Sequence, residues 1–335
     1  MIKRLDYLVN VLGVSMKNYS ALCDKILSVL DTHSVKSLKK DYSTISAKYR
    51  SENIKSTKVV DTITKVQSYL STRMPETTWV VYDVLSKMDS VVGLDIDSVL
   101  DVGSGTGATM WALDNFMFDG VATAVELDSN MLKCALVLCE DLSPTINYVE
   151  CSVLSNKFDS LPKADLVIES FMLNELSDID RLKAVDNMCK KTSKYLVLIE
   201  PGTPVSFDRL SAIKEHLLAK GMHLTLPCPH SEKCGLNGDF CNFSVRVNRS
   251  SLHRLVKSGT LSYSDEKYFY MVFSVDKVSK SHSSTILRHP VYRKNCIDLK
   301  LCNADGSVTT TTITKSDKLG YKLAKDYRHG DILDS

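Results

Sequence analysis

The chain has 335 residues, of which 44% are hydrophobic and 24% are charged, so it can bury one large core and a smaller satellite lobe. No apolar run approaches the roughly 20 residues that cross a bilayer, and residues 1–20 lack the apolar core of a signal peptide, so we expect an intracellular protein. The 10 cysteines are therefore expected to be reduced, with some of them serving as ligands.

Positive charge is concentrated towards one end of the chain. Residues 241–335 contain 16 Lys and Arg against 9 Asp and Glu, whereas residues 1–240 contain 26 against 31. This segregation indicates a surface that faces a polyanion, although a formal net charge of +2 is below that of a dedicated nucleic-acid-binding protein. A solvated surface is the alternative interpretation.

Three regions follow one another along the chain. Residues 1–95 have apolar side chains at helical spacing, which predicts a helical N-terminal region. Residues 96–225 alternate short apolar runs with helical patterns, and residues 226–335 open with a loop rich in Cys, Pro and Gly that leads into a C-terminal β lobe. The helical spacing of the first region is carried by Leu5, Leu8, Val9, Leu12, Val59, Ile63, Val66 and Leu70.

The middle region predicts an α/β fold. Because its strands alternate with helices, they should form a parallel sheet that is covered on both faces. The predicted strands are Ser98–Val102, Val121–Leu127, Ile146–Val149, Asp165–Ser170 and Lys194–Glu200. Beyond them the pattern predicts helices over 206–220 and Arg249–Lys257, a strand over Tyr268–Val275 and a hairpin turn at Asn303–Gly306.

A glycine-rich turn follows the first predicted strand. Gly103, Gly105 and Gly107 precede a helix that starts near Ala108, and residues without a Cβ let the backbone turn tightly and approach a ligand closely. Glu126 ends the next strand, where a carboxylate can bind ribose hydroxyls. The combination predicts an adenosine cofactor site, with a purely structural turn as the alternative.

The spacing of this turn favours one cofactor. Asp101 stands two residues before Gly103, and the G-x-G-x-G pattern resembles the first motif of class I methyltransferases dependent on S-adenosylmethionine (SAM) more than a dinucleotide site. We therefore expect the Rossmann-like sheet of that class, with Asp101, the three glycines and Glu126 binding SAM. No catalytic residue is identified. The segment Glu169–Leu176 lacks the Asn/Asp-Pro-Pro-aromatic motif that holds a target amine.

Three cysteines within fourteen residues predict a metal or iron-sulfur site. Cys228, Cys234 and Cys241 lie in the Pro- and Gly-containing loop, which can present soft thiolates without a regular helix or strand. Cys302 is the better candidate for a fourth ligand and Cys296 the second choice. Zinc is an open alternative, although the spacing differs from paired C-x2-C knuckles, and so are free thiols.

Basic residues follow the third cysteine of this loop. Arg246, Arg249, Arg254 and Lys257 occur with no acidic residue between them, and clusters of this kind can bind RNA phosphates. A solvated helix face is the alternative, but their position beside the cysteine loop favours RNA.

Several stretches together resemble the methyltransferase-like small-subunit ribosome assembly proteins of mitochondria and some bacteria. The resemblance covers about residues 40–330. It is carried by Tyr69–Pro75, the glycine loop with Trp111 and Ala112, Phe171–Leu176, Glu200–Pro204, the Cys-Pro-His loop, Cys241, Phe243, Ser244 and Asp265–Tyr268.

The resemblance implies a SAM-type fold that associates with small-subunit ribosomal RNA and holds a 4Fe-4S cluster on Cys228, Cys234, Cys241 and Cys302. Members of this family differ in whether they methylate anything, so the resemblance leaves catalysis open. Gly235 departs from the family, which often has proline there.

Two further expectations concern other functions and the compartment. A methyltransferase of a small molecule or a protein, with no RNA role, is the alternative function, and an NAD-dependent oxidoreductase is a third. Neither DNA nor a membrane is an expected partner. Because the N-terminal residues are not rich in Arg and Ser, we expect a bacterial cytoplasmic protein, with the mitochondrial matrix as the alternative.

Overall fold

A computed structural model describes residues 16–30, 35–50, 60, 62–278 and 282–334. The helical spacing predicted over Leu5–Leu12 and at Val59 lies outside these residues. The described part of the N-terminal region is helical, as predicted, and forms α1 (Tyr19–Val29), α2 (Val35–Arg50) and α3 (Ile63–Val92). No helix among the described residues is long and apolar enough to cross a lipid bilayer.

The main sheet has eight strands. Its order is β3-β2-β1-β4-β5-β8-β6, and β7 pairs with the part of β8 that β6 leaves free. The first five strands are parallel, and β8 runs antiparallel to β5. The strands are β1 (Ser98–Val102), β2 (Val121–Glu126), β3 (Thr145–Glu150), β4 (Ala164–Ser170), β5 (Thr192–Pro201), β6 (His223–Leu226), β7 (Phe243–Asn248) and β8 (Tyr263–Ser274).

Helices connect the parallel strands and cover the sheet. A parallel pair needs a crossover connection, and the chain supplies a helix at each one. They are α4 (Ala108–Asn115), α5 (Ser129–Leu138), α6 (Asn156–Asp159), α7 (Asp178–Lys191), α8 (Pro204–Ala219) and, between β7 and β8, α9 (Ser251–Lys257). The predicted α/β class is confirmed, and the strand order is that of class I SAM-dependent methyltransferases.

A second, five-stranded sheet follows β8. It is antiparallel, and its central strand β11 pairs with β12 on one side and with β9 and β10 on the other. A short helix packs its buried Ala324 against this sheet. The elements are β9 (His282–Ile286), β10 (Val291–Tyr292), β11 (Cys296–Asn303), β12 (Val308–Thr314), α10 (Lys318–Ala324) and β13 (Ile332–Asp334).

The chain after residue 226 thus contributes to both sheets. Its first strands, β7 and β8, complete the main sheet, while β9 to β13 form the second one. The boundary expected near residue 225 therefore falls within the main sheet, and the three-region division stays a prediction.

A buried ion cluster joins the N-terminal helices to the end of the main sheet. Glu76 of α3 is fully buried and accepts hydrogen bonds from Arg73 (2.9 Å, same helix) and from Lys257 of α9. His253 of α9 places Nε2 3.3 Å from the same carboxylate, and Arg73 also binds Glu266 of β8 at 2.7 Å. This cluster fixes α3 against α9 and β8.

We predict that Glu76→Gln destabilises the fold by about 3–5 kcal/mol, because it leaves the largely buried ammonium of Lys257 without a counter-charge, while Arg73 keeps Glu266. Glu266→Gln is the matched control and should cost about 1 kcal/mol or less, since its pair with Arg73 is partly exposed and Arg73 keeps Glu76. Urea unfolding at pH 7 measures both changes, and equal losses would contradict the assignment.

The same residue predicts a pH dependence. Burial alone would raise the pKa of Glu76, but the hydrogen bond from His253 and the charges of Arg73 and Lys257 lower it from 4.5 to about 2. A lowered carboxyl pKa contributes stability that is present above the unfolded value and is lost as the pH falls towards the folded one. The stability difference between wild type and Glu76→Gln should therefore shrink between pH 4.5 and pH 2.

Candidate cofactor site and cysteine cavity

The glycine turn lies between β1 and α4, where the carboxyl ends of β1, β2 and β4 meet. All three predicted glycines have left-handed backbone conformations, with φ of 76° at Gly103, 54° at Gly105 and 92° at Gly107. Residues with a Cβ rarely adopt such angles. The ends of parallel strands in an open α/β sheet are the usual place for a ligand.

The three glycines meet different surroundings. A Cβ on Gly103 would lie 2.8 Å from the side chain of Met172, and one on Gly107 would lie 2.5 Å from Cys139 Sγ. A Cβ on Gly105 would meet Tyr69 Oη alone, at 3.9 Å. Gly103 and Gly107 therefore allow close packing, whereas Gly105 faces space that a ligand can occupy.

Asp101 is a buried carboxylate whose oxygens have no hydrogen-bond partner among the described residues. It sits on β1 and is completely inaccessible. Burial raises its pKa from 3.8 to about 7, an effect that the Thr109 hydroxyl reduces. A buried acid in this position is costly unless it is protonated or gains a partner.

Three other polar atoms near the turn are also buried without a hydrogen-bond partner in the described part of the chain. The hydroxyls of Ser104 and Thr106, within the turn, and the side-chain oxygen of Asn174, after β4, are buried without a partner among the described residues. Buried polar groups are otherwise almost always hydrogen-bonded. The four groups without partners, which include Asp101, could form hydrogen bonds with a polar ligand bound at the glycine turn.

Glu126 ends β2, as predicted, and its carboxylate is bonded to backbone amides. One oxygen accepts from Gly105 N–H at 2.9 Å, and the other accepts from the amides of Leu127 and Asp128 at 2.7 and 2.9 Å. Burial nevertheless raises the pKa of Glu126. The carboxylate therefore holds the glycine turn, and a ribose would share its oxygens with these amides.

Residues from α3 form a wall of the site that the glycine pattern did not indicate. Tyr69 approaches Gly105, and Arg73, one turn later, places its guanidinium carbon 5.6 Å from the centre of the Phe171 ring. Phe171 follows β4 with a left-handed backbone, φ 64°. The stretch Tyr69–Pro75 was part of the family resemblance, but its position beside the glycine turn depends on the packing of α3.

Two buried carboxylates shape the segment after β4. Glu169 accepts amide hydrogens from Met172 and Leu173 at 3.1 and 3.4 Å and from Ile199 at 3.1 Å. Glu200 accepts from Asn174 N–H at 3.2 Å and pairs with Arg209 at 2.7 Å.

Burial, and next the neighbouring Glu200, raise the pKa of Glu169 well above its ordinary value. Burial likewise raises the pKa of Glu200 to about 7, although Arg209 opposes the shift. Because Glu200 is fully buried and paired, its role is to hold the loop, and it does not present a base to solvent.

The four cysteines predicted as ligands line one cavity. It lies between α8, the loop after β6, the main sheet and β11. Cys228, Cys234, Cys241 and Cys302 all contribute to its wall, together with His230. Cys296, the second choice, sits at the opposite end of β11 from Cys302 and is not among the lining residues. The assignment of all four as ligands stays a prediction.

The cavity is mostly apolar around its thiols. His230 Nε2 is 3.3 Å from Cys302 Sγ. Burial, followed by the nearby thiols of Cys228 and Cys234, raises the pKa of Cys241 well above its ordinary value. Among the described residues, no group of three or more His, Cys, Asp and Glu side chains is arranged to hold a single metal ion.

The four residues predicted to bind RNA differ in their surroundings. Arg246 is exposed but pairs with Asp265 at 2.8 Å and stacks on Tyr263. Lys257 forms an ion pair with the buried Glu76, and Arg249 is half-buried. Arg254 is exposed, without an ion pair among the described residues. Their RNA role stays a prediction, with Arg254 the freest of the four to perform it.

We predict that Gly107→Ala destabilises the protein far more than Gly105→Ala. Both changes place a Cβ on a left-handed backbone, which costs about 1–2 kcal/mol. Gly107→Ala adds a clash with Cys139, worth about a further 1–3 kcal/mol. Urea midpoints of the two variants test this difference, and equal midpoints would mean that the turn does not pack as described.

Most of the chain, including the glycine turn and the cysteine loop, matches a known protein family. Residues 63–334 match the family model described as mitochondrial small ribosomal subunit Rsm22. The human mitochondrial ribosome assembly protein METTL17 is 26% identical over 260 residues, which cover 70% of this chain and 55% of that protein. The chain thus spans about half the length of the curated relative that it matches.

Three solved structures with a similar fold are named as methyltransferases. Magnesium protoporphyrin IX methyltransferase from Synechocystis PCC 6803 has 11% identity and a TM-score of 0.41, covering 70% of this chain and 100% of that one. A SAM-dependent methyltransferase from Archaeoglobus fulgidus has 13% identity and a TM-score of 0.38, covering 60% and 94%. The plantazolicin methyltransferase BpumL has 11% identity and a TM-score of 0.44, covering 72% and 98%.

Proposed function

The chain belongs to the mitochondrial small ribosomal subunit Rsm22 family, and from that membership we propose that it is a SAM-binding, methyltransferase-like protein that acts in assembly of the small ribosomal subunit. Its partners are the subunit and the ribosomal RNA. Both the family and the human relative are named as mitochondrial, which supports the mitochondrial compartment that was the alternative in the sequence analysis. Neither tests the bacterial cytoplasm.

The proposal of SAM binding rests on the buried polar groups near Gly105 that lack hydrogen-bond partners within the described chain. Asp101, Ser104 and Thr106 have buried oxygens without partners among the described residues, and Gly105 leaves open space. SAM carries an ammonium group and ribose hydroxyls that donate hydrogen bonds, so it fits a site rich in acceptors. When bound, SAM supplies an electrophilic methyl group; Glu126 keeps the turn in place, and Phe171 and Tyr69 flank its opening.

A cavity lined by four cysteines has the donor set of a group held by thiolates, which is an iron-sulfur cluster or zinc. The family resemblance implies a 4Fe-4S cluster, and zinc is the alternative. We propose that Cys228, Cys234, Cys241 and Cys302 hold a 4Fe-4S cluster that ties the loop after β6 to β11 of the second sheet.

The proposed SAM site predicts saturable binding of SAM that Gly105→Arg abolishes. The arginine would fill the open space beside Gly105 while sparing the packed positions Gly103 and Gly107. Isothermal titration with SAM and with NAD, on wild type and Gly105→Arg, tests it directly. SAM binding in wild type alone supports the proposal, and preferential NAD binding would support the oxidoreductase alternative.

Methyl transfer is tested with labelled SAM, under anaerobic conditions, on small-subunit particles from cells that lack the protein. Label in the ribosomal RNA, absent with Gly105→Arg, establishes a methyltransferase. Binding to the particles without label identifies an assembly protein that uses SAM, or the fold alone, without catalysis. Label in a protein or small molecule, with no particle binding, would favour the alternative function.

The cluster assignment predicts that Cys302→Ser loses iron while Cys296→Ser retains it. Both cysteines are on β11, but only Cys302 lines the cavity, so the pair is a matched control on one strand. Anaerobic purification, iron and acid-labile sulfide analysis and the visible spectrum measure the outcome. A colourless, zinc-loaded wild type would overturn the cluster and leave the fold and the SAM site unaffected.

A further inference from the structure

The second sheet and its helix carry a group of lysines that have no ion pair with any residue that the structure describes. Lys315 directly follows β12. Lys318 and Lys322 of α10, and Lys325 at its C-terminal cap, are four and three residues apart, so they lie on one face of the helix. All of them are exposed, as is Lys294 in the turn between β10 and β11. We call these five residues the lysine face.

Backbone contacts bring the parts of the lysine face together. The amide of Lys315 donates to the carbonyl of Asn295 at 3.0 Å, so the turn that carries Lys294 lies beside the start of α10. Lys315 and Lys325 both approach the ring of Tyr321, at 6.0 and 5.3 Å from its centre. The five amines therefore share one end of the second sheet.

Few acidic groups offset this charge. Asp317 and Asp326 are the acids of the same segments, and Asp317 caps α10 through Gly320 N–H at 2.9 Å. Asp298 of β11 pairs with Arg293 at 2.8 Å. None of the five lysines has a carboxylate within 4.0 Å among the residues that the structure describes. The lysine face is thus a net positive surface whose amines are available to a partner.

The side chains beside the lysine face indicate which kind of polyanion this surface can bind. Tyr292 is 56% exposed, and its hydroxyl donates to the carbonyl of Lys325 at 2.9 Å, so an accessible aromatic ring borders the amines. Thr314 and Ser316, on either side of Lys315, are exposed and add hydroxyl groups. Amines and hydroxyls that bind phosphates, beside a ring on which a base can stack, match single-stranded RNA better than an acidic protein segment.

We infer that the lysine face, with Tyr292, is a surface that binds single-stranded RNA of the small ribosomal subunit. This surface is separate from the four basic residues between Arg246 and Lys257 that the sequence indicated, of which Lys257 and Arg246 are held in intramolecular ion pairs. The inference rests on the proposed function for the identity of the RNA, and on the charges and the exposed ring for the binding surface itself.

The test compares wild type with the variant Lys318→Ala/Lys322→Ala/Lys325→Ala. A charge-matched control, Lys133→Ala/Lys183→Ala/Lys190→Ala, removes exposed lysines from α5 and α7. Two probes are used at several salt concentrations: small-subunit particles from cells lacking the protein, and a labelled 20-nucleotide single-stranded RNA. Circular dichroism confirms that the exposed substitutions leave the fold intact.

We expect the lysine-face variant to bind both probes at least about tenfold more weakly than wild type and the control. Its logarithmic salt slope should be smaller by about 2, because each lost phosphate contact on single-stranded RNA removes about 0.7. Tyr292→Ala should weaken binding with the slope unchanged, and Tyr292→Phe should restore it, since stacking is not a charge effect.

The other outcomes separate this inference from the proposed function. Unchanged affinity and slope in the lysine-face variant would overturn the surface and leave the ribosomal role standing. Particle binding that is lost in the variant, with no binding of the RNA oligonucleotide by wild type, would overturn RNA in favour of a protein partner. Oligonucleotide binding through the lysine face without particle binding would uphold the surface and remove the ribosomal role, and no binding of either probe would overturn both.

Discussion

Burial of carboxylates is the constraint on which the arrangement of this protein depends. Among the described residues four acids are completely inaccessible: Glu76, Asp101, Glu169 and Glu200. A carboxylate in that environment needs a cation or hydrogen-bond donors, or it stays protonated. Glu76 has cations, Glu169 has backbone amides, and Glu200 has both, so three of the four organise the structure around them.

Asp101, at the proposed cofactor site, is the exception. Its oxygens have no hydrogen bond in the part of the chain that the structure describes, and it stands two residues before the glycine turn. The same fold that satisfies the other three acids leaves the carboxyl group of Asp101, like the hydroxyls of Ser104 and Thr106 in the turn, buried and without a partner among the described residues. A buried polar group of this kind is tolerated where a bound ligand supplies its missing hydrogen bonds. The unsatisfied groups therefore indicate the position of the proposed site.

The cysteine cavity and the lysine face are connected through β11. Cys302 lies at one end of this strand, against the main sheet, while Cys296 and the turn with Lys294 lie at the other. A group bound by the four cysteines would fix the second sheet relative to the main one, and with it the direction in which the lysines point. Part of the positive charge of residues 241–335 thus lies on the second sheet, which also carries Cys302.

The sequence by itself determined the local features: the strands of the parallel sheet, the three glycines of the turn, and the cysteines of one loop. Each of these depends on periodicity, backbone conformation or short spacing, which neighbouring residues encode. Only the tertiary structure decided that Cys302 and not Cys296 faces the cavity, that Tyr69 borders Gly105, and that Lys257 pairs with Glu76 while the lysines of α10 pair with no described carboxylate. Those facts join residues that are far apart in the chain, and packing between elements, which no local pattern records, sets which side chains meet.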